Sequence, residues 1–180
     1  TVYHNLPFPT ACDRLHEIMG LAYSVSLFTD WTTDVVNQLW LKRRVDRLGE
    51  EVDVTSRFGI VPAASNMHPI SILPADSCTR QLNEPGPWYD RLPHFRIGET
   101  PSVGKELQSE YFVAFEDAPR VLSDLRRVAA HFASLVQISE IRVVAEDSYW
   151  MSPCYRRPSI GIHFTWHPDE DAVREAVTHV

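Results

Sequence analysis

The chain has 180 residues, of which 44% are hydrophobic and 23% charged, and its formal net charge is −7. That is enough length and apolar content for one domain with a core, and the acidic balance excludes a nucleic-acid surface, which needs a basic patch. No apolar run approaches the roughly 20 residues of a membrane span and no signal peptide is visible, while Cys12, Cys78 and Cys154 are too widely spaced for a zinc site or a disulfide framework and fit a reducing cytoplasm.

Along the chain, Thr10 reads as a helix N-cap, and Ala11 to Ala22 carries Leu15, Ile18, Met19 and Leu21 at helical spacing. Tyr23 to Phe28 alternates with period two and predicts a strand; Trp31 to Asp34 reads as a turn. Val35 to Val45 predicts a second strand, antiparallel to the first, and its basic end, Lys42-Arg43-Arg44 with Arg47, reads as solvated. From Asp46 to Thr100 the periodicity decays into a long Pro-rich loop region, punctuated by Pro62, Pro69, Pro74, Pro85 and Pro87. Proline removes ladder donors and blocks helix interiors, and a loop of this length is functional or mobile. Trp88, Tyr89 and Phe95 imply that its later half packs on something; against a missing domain, Trp88 and Phe95 would form an exposed apolar patch in this chain.

Order returns at Glu106. Leu107 to Phe115 predicts a strand, and Asp117 to Val136 a helix with one apolar stripe through Leu122, Leu125, Ala129 and Phe132. Ile138 to Ala145 and Pro158 to Trp166 predict two more strands, joined by Asp147 to Arg157. Asp169, Glu170 and Asp171 open a last helix, where the helix dipole favours acids. The second half thus reads β-α-β-β-α, a ferredoxin-like arrangement without its final strand. The expected fold class is α+β, with an antiparallel or mixed sheet and helices on one face. The chain begins without Met and stops inside an apparent helix, so a single domain, 1–180, cut from a longer polypeptide is expected, with the loop region 46–100 inside it.

Three strands carry polar side chains in alternation: Gln108 and Glu110, Glu140 and Arg142, His163 and Thr165. Alternating residues share a face. If the three strands lie in one sheet, these six form a polar floor able to hold a molecule rich in hydroxyls. Arg142 suits a clamp on a developing alkoxide and Glu140 an acceptor for hydroxyls. His163 could hydrogen-bond a hydroxyl or help take its proton. Each residue alone is equally an ordinary sheet-face residue, and Glu140 with Arg142 an ion pair of little consequence. No HExxH motif, glycine-rich phosphate loop or nucleophile elbow occurs, and although His163 and His167 are four apart, Pro168 breaks the helix such a pair would need, so no metal is expected.

The strings Tyr23-Ser24-Val25-Ser26-Leu27-Phe28-Thr29, Gln38-Leu39-Trp40-Leu41-Lys42-Arg43-Arg44, His94-Phe95-Arg96, Glu106 to Val113, Gln137 to Arg142 and Ile162 to Trp166 resemble, in the same order, the alditol (xylitol) oxidases. These form part of the sugar-1,4-lactone oxidase branch of the vanillyl-alcohol-oxidase flavoproteins. The resemblance implies a cap domain that binds a small polyol over FAD. The FAD is held by another domain of the same polypeptide, so this chain alone would be inactive and carry no cofactor-binding residue. It also implies that Arg142 and Glu140 act in catalysis and that Gln108, His163 and Thr165 bind substrate, with Glu110 in the same motif. An aldonolactone oxidase or dehydrogenase cap and a non-catalytic polyol-binding module are the alternative readings.

Overall fold

A computed structural model describes residues 1–47, 53–99 and 104–180. In chain order the strands are β1 (Val2–His4), β2 (Leu6–Pro7), β3 (Ser24–Thr29), β4 (Val35–Val36), β5 (Gln38–Lys42), β6 (Val61–Pro62), β7 (Leu107–Ala114), β8 (Val136–Val144) and β9 (Ser159–Trp166). The helices are α1 (Phe8–Asp13), α2 (Leu15–Met19), α3 (Val54–Phe58), α4 (Ala118–Val128) and α5 (Glu170–Ala176). Seven strands form one sheet in the order β6-β1-β5-β3-β8-β9-β7. Every neighbouring pair in it is antiparallel. β7 and β8 flank β9, so β7-α4-β8 is a split β-α-β unit, as the β-α-β-β-α reading of the second half expected.

Two predicted helices are shorter than their periodicity. The first starts at Phe8, before Thr10, because Pro9 lacks an amide donor and fits only the opening turn. The Phe8 amide donates instead to the Asp34 carbonyl at 2.8 Å. Arg14, at φ −116°, splits the segment into α1 and α2. The helix expected over 117–136 ends at Val128 and continues as two 3-10 turns, Ala129–His131 and Ala133–Leu135, which deliver the chain into β8. The strand expected over 35–45 is interrupted at Asn37 and ends at Lys42.

The sheet has two different faces. On one, Leu27, Leu39, Leu41, Ile141, Ile160, Ile162, Phe164 and Trp166 pack with α1, α2, α4 and α5 into the main core. At its centre Trp31 stacks on Phe164 at 6.0 Å and meets Phe132 edge-on at 5.8 Å. Buried indoles need acceptors, and two serines supply them from core-facing strand positions: Trp31 Nε1 donates to Ser139 Oγ at 2.7 Å and Trp166 Nε1 to Ser109 Oγ at 3.0 Å.

The other face carries a second, smaller core: Val2, Phe28, Trp40 and Ile138 from the strands, and Cys78, Met67, Ile70 and Phe95 from the Pro-rich segment. That segment is therefore packed on the sheet over its described part; residues 48–52 and 100 lie outside the described residues. Its proline-poor supply of amide donors is offset by buried side-chain amides. Gln38 Nε2 donates to the His68 carbonyl at 2.8 Å, and Gln81 both accepts from the Met67 amide at 2.9 Å and donates to its carbonyl at 2.7 Å. Phe95 belongs to this core, so the exposed patch expected of it does not form; Trp88 does stand out, 74% exposed. Among the described residues no helix is long and apolar enough to cross a membrane.

Trp31→Ala is expected to destabilise the chain by about 4 kcal/mol in urea unfolding, because it removes a fully buried ring from the aromatic centre and strands Ser139 without its donor. Trp31→Phe keeps most of the stacking and should lose clearly less.

Candidate functional site

The register places all six predicted polar residues on the face opposite the helices. Glu110, His163 and Glu140 stand side by side across β7, β9 and β8, because Glu110 pairs with His163 and His163 with Glu140. One row along, Gln108 pairs with Thr165 and Thr165 with Ile138. In the opposite direction Phe112, Gly161, Arg142, Ser26 and Trp40 form the next row.

Arg142 is held by carboxylates on both sides. Its Nη1 donates to Glu140 Oε2 at 3.1 Å and its Nη2 to Glu110 Oε1 at 2.6 Å. The second bond crosses from β8 over β9 to β7, and the residue it crosses is Gly161. A Cβ at Gly161 would lie 3.1 Å from Glu110 Oε1 and 3.5 Å from the Phe112 ring. The absent side chain is what lets the guanidinium lie flat against the sheet and reach both acids.

Glu140 is the most enclosed of the acids, with its side chain 12% exposed. Ser26 Oγ donates to its Oε1 at 2.7 Å, and His94 Nε2 lies 3.0 Å from the same oxygen. Lys42 Nζ sits 3.0 Å from His94 Nδ1 and also donates to the Leu92 carbonyl. An ammonium has no lone pair, so His94 Nδ1 accepts and Nε2 carries the proton that goes to Glu140. A chain of contacts therefore runs from Lys42 through His94, Glu140 and Arg142 to Glu110. Burial on its own would push the Glu140 carboxyl up; the hydrogen bond from His94, the Ser26 hydroxyl and Arg142 outweigh it and hold the group at about 2. Burial draws the Lys42 ammonium down to about 8, against the pull of Glu140.

Gln108, His163 and Thr165 differ from these. Among the described residues their side chains make no hydrogen bond. Burial lowers the His163 pKa, opposed by Glu110 and Glu140, and favours the neutral ring, which offers one donor and one acceptor. The face thus combines an ordered ionic chain with a neighbouring set of free donors and acceptors, which suits recognition of several hydroxyls.

The strand patterns located the floor but missed three of its supports. Lys42, read as part of a solvated basic end, is half-buried and turned into the site, because its pairing with Ser24 puts it on the Trp40 and Gln38 side of β5. Ser26 and His94 were not singled out. Ser26 had a local signal, since it alternates with Val25 and Leu27; His94 had no periodicity to mark it, only its place at the head of the string His94-Phe95-Arg96. Two cavities of about 380 and 430 Å³ adjoin the network at Lys42, with Arg91 lining both, and neither includes any of the six floor residues.

No family profile matches the chain. Over 160 residues it is 41% identical to an alditol oxidase of Streptomyces sp. (strain IKD472), a match that covers 89% of this chain and 37% of that protein. The resemblance to the alditol oxidases carried by the short strings therefore extends across most of the chain. The chain spans little more than a third of the length of the curated relative it matches.

Because the folded Glu140 carboxyl lies near 2 rather than 4.5, its stabilising contribution is complete above pH 4.5 and is lost as pH falls through about 2. That contribution is on the order of 3 kcal/mol. Urea midpoints measured from pH 6 to pH 2 should fall in this window, and Glu140→Gln should flatten that part of the profile while lowering stability at pH 6. Gly161→Ala should leave the fold in place but crowd Glu110 Oε1 and perturb the Arg142–Glu110 contact, read as a changed Arg142 Nη signal by NMR.

Proposed function

We propose that this chain is the substrate-binding cap of an FAD-dependent oxidase that converts the terminal hydroxyl of polyols such as xylitol or sorbitol to an aldehyde, with oxygen reduced to hydrogen peroxide. The observation that carries the reading is the floor itself: unpartnered Gln108, His163 and Thr165 beside an Arg142 fixed between two carboxylates. The 41% identity to an alditol oxidase over 89% of the chain supports the reading.

In this reading FAD is held by another domain of the same polypeptide, and this chain supplies the substrate side of the site. FAD, when bound, supplies the hydride acceptor and the reduction of oxygen. The chain's own residues bind and orient. Arg142, with 39% of its side chain exposed, faces the carbinol oxygen and stabilises negative charge as the carbinol proton passes to the neutral His163 ring. Glu140 accepts a hydrogen bond from a substrate hydroxyl at Oε2, since Oε1 is already taken by Ser26 and His94. Gln108, Thr165 and the neutral His163 ring hold the remaining hydroxyls and so set chain length and stereochemistry. Glu110 keeps Arg142 in place. The reading puts the protein in the cytoplasm, where its three buried, unpaired thiols stay reduced.

The longer polypeptide should release peroxide with xylitol, and Arg142→Ala should lower its turnover by about 10²–10³ while moving the melting temperature little. The chain alone should bind xylitol and oxidise nothing. Peroxide from galactono-lactone with none from xylitol would reassign the substrate to the lactones; binding without any oxidation by the longer, flavin-loaded polypeptide would make the chain a binding module.

A further inference from the structure

We infer that His94 and Lys42 are positioning residues for Glu140: together they fix which of its oxygens is left for substrate. The inference rests on Glu140 lining a polyol site. His94 reaches the floor from the Pro-rich segment, which the sequence marks only as a loop. Its place is over-determined. The ring meets Phe28 edge-on at 5.4 Å and Trp40 edge-on at 5.0 Å. Its backbone carbonyl accepts from the Thr79 amide at 3.0 Å, and the preceding Pro93 carbonyl accepts from Thr79 Oγ1 at 2.7 Å. With the ring plane fixed, only its tautomer remains free, and Lys42 removes that freedom by donating to Nδ1.

Lys42 is the telling member. Burying an ammonium away from any directly contacting carboxylate is unfavourable, and its described partners are a carbonyl, an imidazole nitrogen and, at 5.9 Å, the face of the Trp40 ring. Packing alone would be served as well by an apolar side chain at that position. What the ammonium does is commit His94 to present Nε2–H to Glu140 Oε1. With Ser26 Oγ on the same oxygen, Oε1 is saturated. Oε2 receives only Arg142 Nη1 and keeps a lone pair directed at the floor. The remaining charged or titratable groups facing this cluster are Glu110 from β7, His163 from β9, and Cys78 and Arg96 from the Pro-rich segment. In the described structure none of them can substitute for His94 at Oε1.

The test uses the full 180-residue chain, labelled with ¹³C at glutamate carboxyls and ¹⁵N at histidine rings, with xylitol as the probe ligand. In the unsubstituted chain His94 should show the Nε2–H tautomer, and Lys42→Met should turn it into a mixture. His94→Ala should raise the titration midpoint of Glu140 by about one unit or more and weaken xylitol binding about tenfold. His94→Gln, which keeps an Nε2 donor, should restore most of both. An Nδ1–H tautomer in the unsubstituted chain, or a Glu140 midpoint unmoved by His94→Ala, overturns the inference. If the midpoint moves and the tautomer is as expected but no polyol binds even the unsubstituted chain, the positioning of Glu140 stands and the polyol reading beneath it fails.

Discussion

A buried carboxylate that stays ionised must be surrounded by donors, and the polar face of this chain is arranged around that requirement at Glu140. Its Oε1 takes Ser26 and His94, its Oε2 takes Arg142, and the guanidinium in turn needs Glu110. Each partner comes from a different element: β3, the Pro-rich segment, β8 itself and β7. Satisfying one charge therefore ties four stretches of chain into one geometry. The two ends of the network act in opposite senses: at Glu140 the contacts outweigh desolvation, whereas at Lys42 desolvation outweighs the pull of Glu140.

The two faces of the sheet solve different problems. The helix face is closed by aromatic packing, and its buried indoles draw Ser109 and Ser139 into core positions. The opposite face is divided. Over β1, β5 and β3 the Pro-rich segment covers Phe28, Trp40 and Val2 with an apolar layer. The cover reaches Ile138 near the start of β8, and beyond it β8, β9 and β7 present polar side chains. The boundary between covered and uncovered sheet is where His94 meets Glu140. The segment thus acts as one wall of the site as well as part of the core.

A flat polar floor on a twisted sheet also needs room for side chains to cross strands. Gly161 provides it on β9, the strand between Arg142 and Glu110. A residue that contributes no atoms to recognition is thereby as necessary to the arrangement as the charged ones. It leaves Arg142 committed to the carboxylates while His163, Gln108 and Thr165 remain available along the neighbouring rows.

Much of this was legible in the sequence. Period-two alternation is a property of each strand alone, so it fixed the shared face of Glu140 and Arg142, of Gln108 and Glu110, and of His163 and Thr165 before their neighbours were known. The amphipathic stripe through Leu122 and Leu125 likewise announced which side α4 would cover. The sequence was silent where contacts join distant residues. Ser26 is 114 positions from Glu140, His94 is 46 from it, and Lys42 is 52 from His94. The unbroken helix periodicity of 11–22 and 117–136 misled because Pro9 and the approach to β8 act through backbone geometry that an apolar pattern does not record. The sequence by itself determined the strands, the helix face and the chemical character of the floor, since these follow from local periodicity. Only the tertiary structure decided that Lys42 turns inward, that His94 completes the site and that Gly161 lets Arg142 reach across. Those depend on strand order and register, which are set by the packing of the whole sheet.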